Sequence, residues 1–251
     1  MGTRIKEMGQ WDRASIAAKL AANAYKTEAQ AKAATKKLGF PWCKLISRDG
    51  AECLVVKDRN DLWFAFRGTE PSKINDVMAD LNVIKGAAMA GGKVHSGFQK
   101  EVNDLWMDVL AEIEHNDQLK VRKDVYMTGH SLGAAMATIA ATRYTPIELF
   151  TFGSPRVGGP KFIRNIKCPH FRFMNNNDIV CRIPPAWLGF THHGEMIYFD
   201  SDGNKATGPS WKDAFKGILN SWKRFKFFDG IVDHGMPNYV RAIAKLNKIK
   251  D

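Results

Sequence analysis

The sequence predicts one α/β domain, in which helices cover a central and mostly parallel sheet. Strand and helix patterns alternate through the middle of the 251-residue chain, which is the order that produces parallel strands joined by helical crossovers. Hydrophobic residues make up 45% of the chain and charged residues 25%, as in ordinary globular proteins, so disorder and collagen-like repeats are excluded. No linker, internal repeat or low-complexity tract divides the chain, and we expect a single domain over residues 1–251.

The first predicted elements are one helix and three strands. Ile16, Leu20 and Tyr25 recur at near-helical spacing in a segment rich in Ala, Lys and Gln that runs from about residue 12 to residue 38. The tripeptide Gly-Phe-Pro at 39–41 ends this helix. The hydrophobic period then changes to two, which predicts strands over 43–47, 52–57 and 61–66 with turns at 48–50 and 58–60.

Helices and strands alternate in the rest of the chain. A helix is predicted from His95 to about His115, because Val102, Leu105 and Val109 fall on one face. A strand at 125–128 is followed by a Gly-flanked turn and an Ala-rich helix at 134–143. Further strands are predicted over 147–152, 170–174 and 196–199, and further helices over 211–228 and 236–250.

The chain is strongly basic. Lys and Arg number 37 against 26 Asp and Glu, which gives a formal net charge of +11. Such an excess favours a polyanionic partner, either nucleic acid or an anionic membrane surface, although it also serves solubility alone. The basic residues do not gather beside a recognisable nucleic-acid motif, so nucleic acid is disfavoured as a partner.

Targeting and membrane-spanning signals are missing from the sequence as given. No stretch approaches the roughly 18 uncharged apolar residues of a membrane span. Residues 1–7 lack the apolar core of a signal peptide, and Lys6 stands where the myristoylation pattern requires Ser or Thr. We therefore expect either a cytoplasmic protein or one whose export signal has been removed.

The four cysteines predict free thiols rather than a disulfide framework. Cys43, Cys53, Cys168 and Cys181 are scattered, and none has the C-x-x-C spacing of a zinc or redox site. A chain of this length builds a sufficient core without disulfides. We expect these thiols to be unpaired and mostly buried.

The strongest chemical motif is Gly-His-Ser-Leu-Gly at 129–133. It fits G-x-S-x-G, the pattern of a nucleophile elbow, in which a strained strand-to-helix turn exposes the serine Oγ and the glycines leave room for neighbouring backbone. The pattern recurs by chance, but here a predicted strand leads into it and a predicted helix leads out. Ser131 is therefore the candidate nucleophile.

A serine nucleophile needs a base and an acid that orients the base. In proteins with this elbow the acid follows the serine and the base comes last. Asp178 follows the predicted strand 170–174 and three asparagines, whereas its competitors Asp200 and Asp202 lie in a Gly-containing turn and resemble turn formers. We predict Asp178 as the acid.

Three histidines follow Asp178, and His234 is the preferred base. It lies in a loop just before the last predicted helix, whereas His193 is only 15 residues beyond Asp178 and His192 adjoins it. His95 and His130 precede the serine and are out of order for a base, so a structural hydrogen-bonding role is expected for both.

The acyl-transfer transition state requires donors for an oxyanion. The backbone N–H of Leu132, directly after the nucleophile, is one predicted donor. The second is expected from the end of an earlier strand, where Phe-Arg-Gly-Thr-Glu at 66–70 offers Gly68 and Thr69, the latter with a hydroxyl as an extra donor. The alternative for this segment is a plain turn carrying a surface salt bridge.

Six blocks together resemble the class 3 lipases, a family that includes the secreted fungal triacylglycerol lipases. They follow the family's order over about residues 60–240 and comprise Phe-Arg-Gly-Thr at 66–69, His-Ser-Gly-Phe at 95–98, the elbow at 129–133, Phe-Gly-Ser-Pro-Arg-Val-Gly at 152–158, Asn-Asp at 177–178 with Pro184, and Asp-His at 233–234. The fungal members are secreted and disulfide-bonded. This chain, with no export signal and no evident cysteine pairing, is closer in character to an intracellular or bacterial member.

The resemblance implies an α/β-hydrolase fold with a short lid helix and ester hydrolysis without metal or cofactor. It implies a Ser131–Asp178–His234 triad, with Thr69 and Leu132 as oxyanion donors. Acylglycerols are the expected substrates. The same fold also serves phospholipases A1 and short-chain esterases, and an anionic-surface or nucleic-acid binding protein or a catalytically dead relative are the alternatives from other classes. The sequence does not predict the oligomeric state.

Two segments are candidates for contact with lipid. Ile74, Val77, Met78 and Leu81 form an apolar stripe on a helix predicted from about residue 71, either a mobile lid or a helix packed permanently on the core. The Gly/Ala-rich stretch 86–92 is a candidate hinge. The second segment, 211–228, places Trp211, Phe215 and Trp222 opposite a lysine-rich face. It either docks on anionic lipid, lines the acyl pocket or packs on the core.

Overall fold

A computed structural model describes residues 5–70, 84–118, 123–208 and 232–248 of the chain. The predicted lid residues Ile74, Val77, Met78 and Leu81 lie outside these ranges, as does the segment 211–228 with Trp211, Phe215 and Trp222. Both remain predictions from the sequence. The elements below are numbered in chain order within the described residues.

The central feature is an eight-stranded sheet with the strand order β1-β2-β3-β6-β7-β8-β9-β10. Strands β3, β6, β7, β8 and β9 run parallel, and the outer strands pair antiparallel. This confirms the predicted mostly parallel sheet. The bounds of these strands are β1 Trp42–Arg48, β2 Ala51–Lys57, β3 Asp61–Phe66, β6 Asp124–His130, β7 Glu148–Phe152, β8 His170–Asn175, β9 Glu195–Phe199 and β10 Lys205–Ala206.

Helices cover both faces of the sheet, as predicted. Side chains alternate along each strand, so that Leu62, Phe64 and Phe66 enter one core while Trp63 and Ala65 enter the other. Helices α3 and α4 pack on the first core, and α1 and α6 pack on the second. The helices are α1 Gln10–Asn23, α2 Glu28–Lys37, α3 Ser96–Gln118, α4 Leu132–Arg143, α5 Pro160–Ile163 and α6 Met236–Lys248.

The single helix predicted over about 12–38 is wrong, because the segment forms two helices. Thr27 caps the second helix: its hydroxyl accepts from the Gln30 N–H, and the Gln30 side chain accepts from the Thr27 N–H. This reciprocal capping box stops the first helix and starts the second. Tyr25 lies at this break, and its hydroxyl is hydrogen-bonded to His130 Nδ1 at 2.7 Å.

The stretch 86–92, the candidate hinge, is a loop only over residues 88–92. Gly86 and Ala87 belong to β4 (Lys85–Ala87), which pairs antiparallel with β5 (Lys93–His95) in a separate two-stranded sheet. The pattern Gly-Ala-Ala-Met-Ala-Gly-Gly lacks the β-branched and aromatic residues that mark strands, so no local pattern predicts this hairpin.

Helix α1 shows how the two ends of the sheet are joined. Near its start, Arg13 Nε donates to Glu148 Oε2 at 2.6 Å, at the beginning of β7. Just beyond its end, Tyr25 reaches His130 at the end of β6. Because β3, β6, β7 and β8 run parallel, the loops that follow them meet at one edge of the sheet. Ligands of open α/β sheets bind at this edge.

The remaining structural predictions concern the thiols and the membrane. All four cysteines are free and buried, as predicted. Among the helices of the described ranges, none combines the length and the hydropathy that crossing a bilayer requires.

Candidate active site

Ser131 occupies the turn between β6 and α4. Its backbone has φ +58° and ψ −127°, a region that residues other than glycine rarely adopt and that costs about 1–3 kcal/mol. Its N–H donates to the Phe152 carbonyl at 3.0 Å, which ties the turn to the neighbouring strand. This is the geometry of the predicted elbow.

Gly129 and Gly133 make that turn sterically possible. A Cβ on Gly129 would overlap the Gly133 carbonyl, and one on Gly133 would overlap the Phe66 carbonyl at the end of β3. Both glycines are required by close backbone approach, because neither has a positive φ.

Asp178 and His234 form a buried pair at the same edge. His234 Nδ1 lies 2.8 Å from Asp178 Oδ2 and 2.9 Å from Oδ1. Because an ionised carboxylate can only accept, Nδ1 donates and Nε2 carries the lone pair. Nε2 is buried and has no hydrogen-bond partner among the described residues. The ring centroid of His234 is 4.5 Å from that of His130, which precedes Ser131, so the His234 ring packs against the elbow.

Asp178 is held as a carboxylate by donors around it. The Tyr239 hydroxyl donates to Oδ2, and the Val180 N–H donates to Oδ1 at 2.9 Å. Complete burial raises the pKa of Asp178, but the charge of His234 and the hydrogen bonds from His234 and Tyr239 outweigh burial and leave that pKa below its ordinary value. No sequence pattern predicts a role for Tyr239, which enters the site from α6.

The asparagine run before the acid also holds the base loop. Asn175 Nδ2 donates to the Asp233 carbonyl at 2.9 Å, and Asn176 Nδ2 donates to its carboxylate at 3.0 Å. The Asn177 N–H donates to the same carboxylate at 3.2 Å. Asp233 precedes His234, so this loop fixes acid and base together.

Gly153 separates the strand end from the triad. It has φ +58°, and a Cβ there would lie 2.7 Å from His234 Cε1 and 2.8 Å from Asp178 Oδ2. Only a residue without a side chain leaves room for the acid–base pair at this position. The block 152–158 contributed to the resemblance, but the sequence alone assigned Gly153 no role.

His130 links the elbow to the base. Its Nε2 donates to the His234 backbone carbonyl at 2.7 Å, and its Nδ1 accepts from Tyr25 Oη at 2.7 Å. Burial, together with the charge of His234, lowers the pKa of His130 to about 3. A histidine held neutral with both nitrogens engaged has the structural role predicted for it. His95 is similarly buried and stacks on Phe98 with ring centroids 4.1 Å apart.

The loop after β3 lies directly against the elbow. A Cβ on Gly68 would overlap the His130 carbonyl and lie 3.0 Å from Ser131 Cβ. Thr69 and Leu132 line one cleft beside this contact. Arg67 forms salt bridges with Glu52 and Glu70, so the surface ion pair considered for this segment is present as well. Leu132 is the first residue of α4, and N–H groups in a first turn have no partner within the helix.

The competing acids and bases make other contacts. Asp200 accepts from the N–H groups of Asp202 and Asn204 at 2.9 and 2.8 Å, as a turn former does. His192 Nε2 donates to the Cys181 carbonyl at 2.8 Å, and His193 Nδ1 lies 3.2 Å from His170 Nδ1. Within the described ranges, no cluster of three metal-binding side chains occurs.

Comparison with known proteins bears on the fold and family. The sequence model of the family lipase (class 3) matches residues 63–187. A lipase of Rhizomucor miehei is 31% identical over 180 residues, 66% of this chain and 49% of that protein. A secreted mono- and diacylglycerol lipase of Malassezia globosa is 32% identical over 161 residues, 57% of this chain and 52% of that protein. The chain thus spans about half the length of the curated relatives it matches.

A solved structure agrees with these matches. It is a triacylglycerol lipase whose catalytic centre is formed by a serine protease triad, and it superposes with a TM-score of 0.64 at 25% identity, over 79% of this chain and 81% of that one. The sheet order, the elbow and this likeness identify an α/β-hydrolase fold. The chain belongs to the class 3 lipase family.

Proposed function

We propose that this chain is a serine carboxylic-ester hydrolase, a lipase that cleaves acylglycerol esters. One observation carries the proposal: His234 Nδ1 is bonded to Asp178 at 2.8 Å while its unpartnered Nε2 belongs to a ring packed against His130, the residue before the strained Ser131. A base oriented by a carboxylate and placed next to a serine on an elbow is the arrangement that acyl transfer requires.

In the proposed mechanism, His234 Nε2 takes the proton of Ser131 as Oγ attacks the ester carbonyl. Asp178 stabilises the imidazolium that forms and keeps the ring oriented. The N–H groups of Thr69 and Leu132, with the Thr69 hydroxyl, donate to the oxyanion. His234 then protonates the departing alcohol, and a water molecule, deprotonated by His234, hydrolyses the acyl-enzyme.

The central experiment is hydrolysis of p-nitrophenyl esters from acetate to palmitate by the wild type and Ser131→Ala. We expect kcat to fall by about 10⁴- to 10⁶-fold in the variant, because removal of a triad nucleophile leaves only binding and the oxyanion donors. Ser47→Ala, on the exposed side of β1, is the matched control and should retain full activity. Undiminished activity in Ser131→Ala would refute the mechanism.

The substrate class is a finer proposal than the reaction. Acylglycerols are favoured because the matched relatives are named as lipases and mono- and diacylglycerol lipases. Phospholipase A1 and short-chain esterase remain the alternatives. Comparing tributyrin, long-chain triglycerides and phospholipid, each below and above the concentration at which an interface forms, separates the three. A rate that does not rise when an interface forms would favour the short-chain esterase.

Peripheral contact with an anionic lipid interface is also proposed, from the apolar stripe at 74–81 and the basic aromatic segment 211–228. Changing Lys223, Arg224 and Lys226 to Gln should weaken binding to anionic liposomes at low salt. Equal binding by this variant and its parent would rule out docking through these charges. An electrophoretic mobility shift at moderate salt tests the nucleic-acid alternative.

A further inference from the structure

One loop at the active-site edge presents a large aromatic side chain to solvent. Among the described residues, Trp187 is the most exposed large apolar side chain, at 82%, and Ile84 is 60% exposed. The two flank one contact: the Lys85 ammonium donates to the Leu188 carbonyl and lies 4.4 Å from the Phe190 ring centroid. Trp187 and Ile84 are thus the exposed apolar side chains of two loops that this contact holds together, and we refer to these two side chains as the patch.

Hydrogen bonds from Arg156 and Lys85 fix the loop that carries Trp187. The Arg156 guanidinium donates to the Pro184 carbonyl at 2.9 Å, and the Arg156 N–H donates to the Ile183 carbonyl at 2.7 Å. Lys85 fixes the other end of the same turn through the Leu188 carbonyl. An aromatic residue exposed on a fixed turn loses little conformational entropy on binding, and this suits it to be an anchor.

The loop that carries Trp187 connects directly to Asp178. It starts from Asp178 and returns at Thr191, which bridges to Gly158; Gly158 in turn bridges to Val94 in β5. Ile84 accepts a hydrogen bond from the Ser96 N–H at 2.9 Å, at the start of α3. Trp187 therefore belongs to the loop that leaves the sheet at Asp178, so we expect a surface that covers Trp187 and Ile84 to face the active-site edge as well.

The Asp, Glu, Lys and Arg residues of the two segments that carry the patch are all basic. Residues 84–95 and 179–194 contain Lys85, Lys93 and Arg182 and no Asp or Glu. Tryptophan beside lysine and arginine favours a lipid–water boundary, where the indole combines an apolar body with an N–H donor and the cations meet phosphate. A protein partner with a predominantly apolar surface would not use the three cations.

We propose that Trp187, together with Ile84 on the loop bonded to it, is a fixed anchor that inserts into a phospholipid–water interface and holds the active-site edge against it. The inference rests on the proposed function. It adds a docking element that is independent of the segments 71–83 and 211–228.

The test is binding of the whole protein to vesicles of diether phosphatidylcholine with a minor fraction of diether phosphatidylglycerol, which no esterase can hydrolyse. We expect Trp187→Ala to bind roughly ten- to a hundred-fold more weakly, the factor that corresponds to one large apolar side chain. Met107→Ala, which removes a 73% exposed apolar side chain from α3, should bind as the wild type does. Hydrolysis of soluble p-nitrophenyl acetate should be unchanged in both variants.

A second readout reports insertion itself. Vesicles with brominated acyl chains should quench the tryptophan fluorescence of the wild type more than that of Trp187→Phe, which keeps an apolar ring. Four results would each overturn the anchor: no vesicle binding by the wild type, equal affinity in wild type and Trp187→Ala, equal quenching in wild type and Trp187→Phe, or an effect of Trp187→Ala on self-association alone. Failure of the proposed function is separate, because it appears as a wild type inactive on soluble ester.

Discussion

Ser131 is positioned by glycines that let backbone segments pack closely around its turn, whereas Asp178 and His234 are positioned by hydrogen bonds from neighbouring residues. On the nucleophile side, Gly129 and Gly133 let three backbone segments approach so closely that a methyl group would overlap a carbonyl. On the acid–base side, Tyr239 and the asparagine run donate to Asp178 and to the loop of His234. The two sides should therefore fail in different ways.

The difference separates stability from activity. Adding an atom on the nucleophile side forces backbone apart and threatens the fold, because close-packed interiors relax only partly. Removing a donor on the acid–base side leaves the packing intact and changes the orientation and charge of catalytic groups. Substitutions on each side test this separation.

The largest effect expected on the acid–base side is that of Asp178→Asn. An amide cannot stabilise the imidazolium and favours the wrong tautomer of His234, so we expect kcat to fall by about 10⁴-fold. Asp200→Asn is the matched control, because Asp200 only accepts N–H groups within its own turn, and its esterase activity should be unchanged. If Asp200→Asn lost activity and Asp178→Asn retained it, the assignment of the acid would be wrong.

Gly133→Ala tests the nucleophile side. The new methyl group would overlap the Phe66 carbonyl, and we expect the free energy of unfolding to fall by about 3 kcal/mol or more. Gly86→Ala is the control, because its Cβ would meet Ser96 Cβ at an ordinary 3.7 Å; its unfolding free energy should change by less than about 1 kcal/mol. Urea denaturation measures both. Equal stabilities would contradict the close approach.

Tyr239→Phe tests the acid–base side by removing one hydroxyl. Losing a hydrogen bond to a carboxylate costs the folded state about 1.5–3 kcal/mol. Because Asp178 is then held less firmly against His234, we also expect kcat/KM to fall by about ten-fold, mainly through kcat. Tyr126→Phe removes a buried hydroxyl that has no hydrogen-bond partner among the described residues, and its kinetics should match those of the wild type. A similar loss in both variants would point to general packing.

His130 contacts both sides, and it should make the stability of the fold depend on pH. Its folded pKa of about 3 lies below the ordinary 6.5, so the unfolded chain binds a proton between these values and the folded protein does not. Stability that is fully present above pH 6.5 should therefore fall on acidification, by about 1.4 kcal/mol per pH unit for this residue.

The variant His130→Asn should show a shallower fall in unfolding free energy between about pH 6 and pH 4, by roughly one proton. His115→Asn, an exposed histidine on α3, should keep the wild-type slope. Urea denaturation across this range measures the slopes. Equal slopes for wild type and His130→Asn would show that His130 titrates normally in the folded protein.

The same contrast explains what the sequence could predict. The determinants of the elbow lie within five residues, between a strand and a helix whose patterns are clear, and the structure has these elements at Asp124–His130 and Leu132–Arg143. The support for Asp178 comes from Tyr239, 61 residues away, and no local pattern links the two. Gly153 likewise acquires its meaning only once His234 has folded against it.

Two local features, the break between α1 and α2 and the β4–β5 hairpin, were not predicted from the sequence. The capping box at Thr27 and Gln30 fits the T-x-x-Q signature, but alanine-rich sequence on both sides hid the break between α1 and α2. The β4–β5 hairpin has no strand propensity of its own. It packs beside Phe162 and Gly158, contacts that a single-segment reading does not contain.

The strained backbone of Ser131 lowers the stability of the whole fold. With φ at +58°, the serine costs about 1–3 kcal/mol, while a glycine there would lose only about 0.5–1 kcal/mol through its greater freedom in the unfolded chain. Ser131→Gly should therefore melt at a higher temperature than the active protein. Selection for heat resistance without selection for turnover would favour the loss of the serine at position 131. Thermal stability and catalytic activity therefore make opposite demands on this residue.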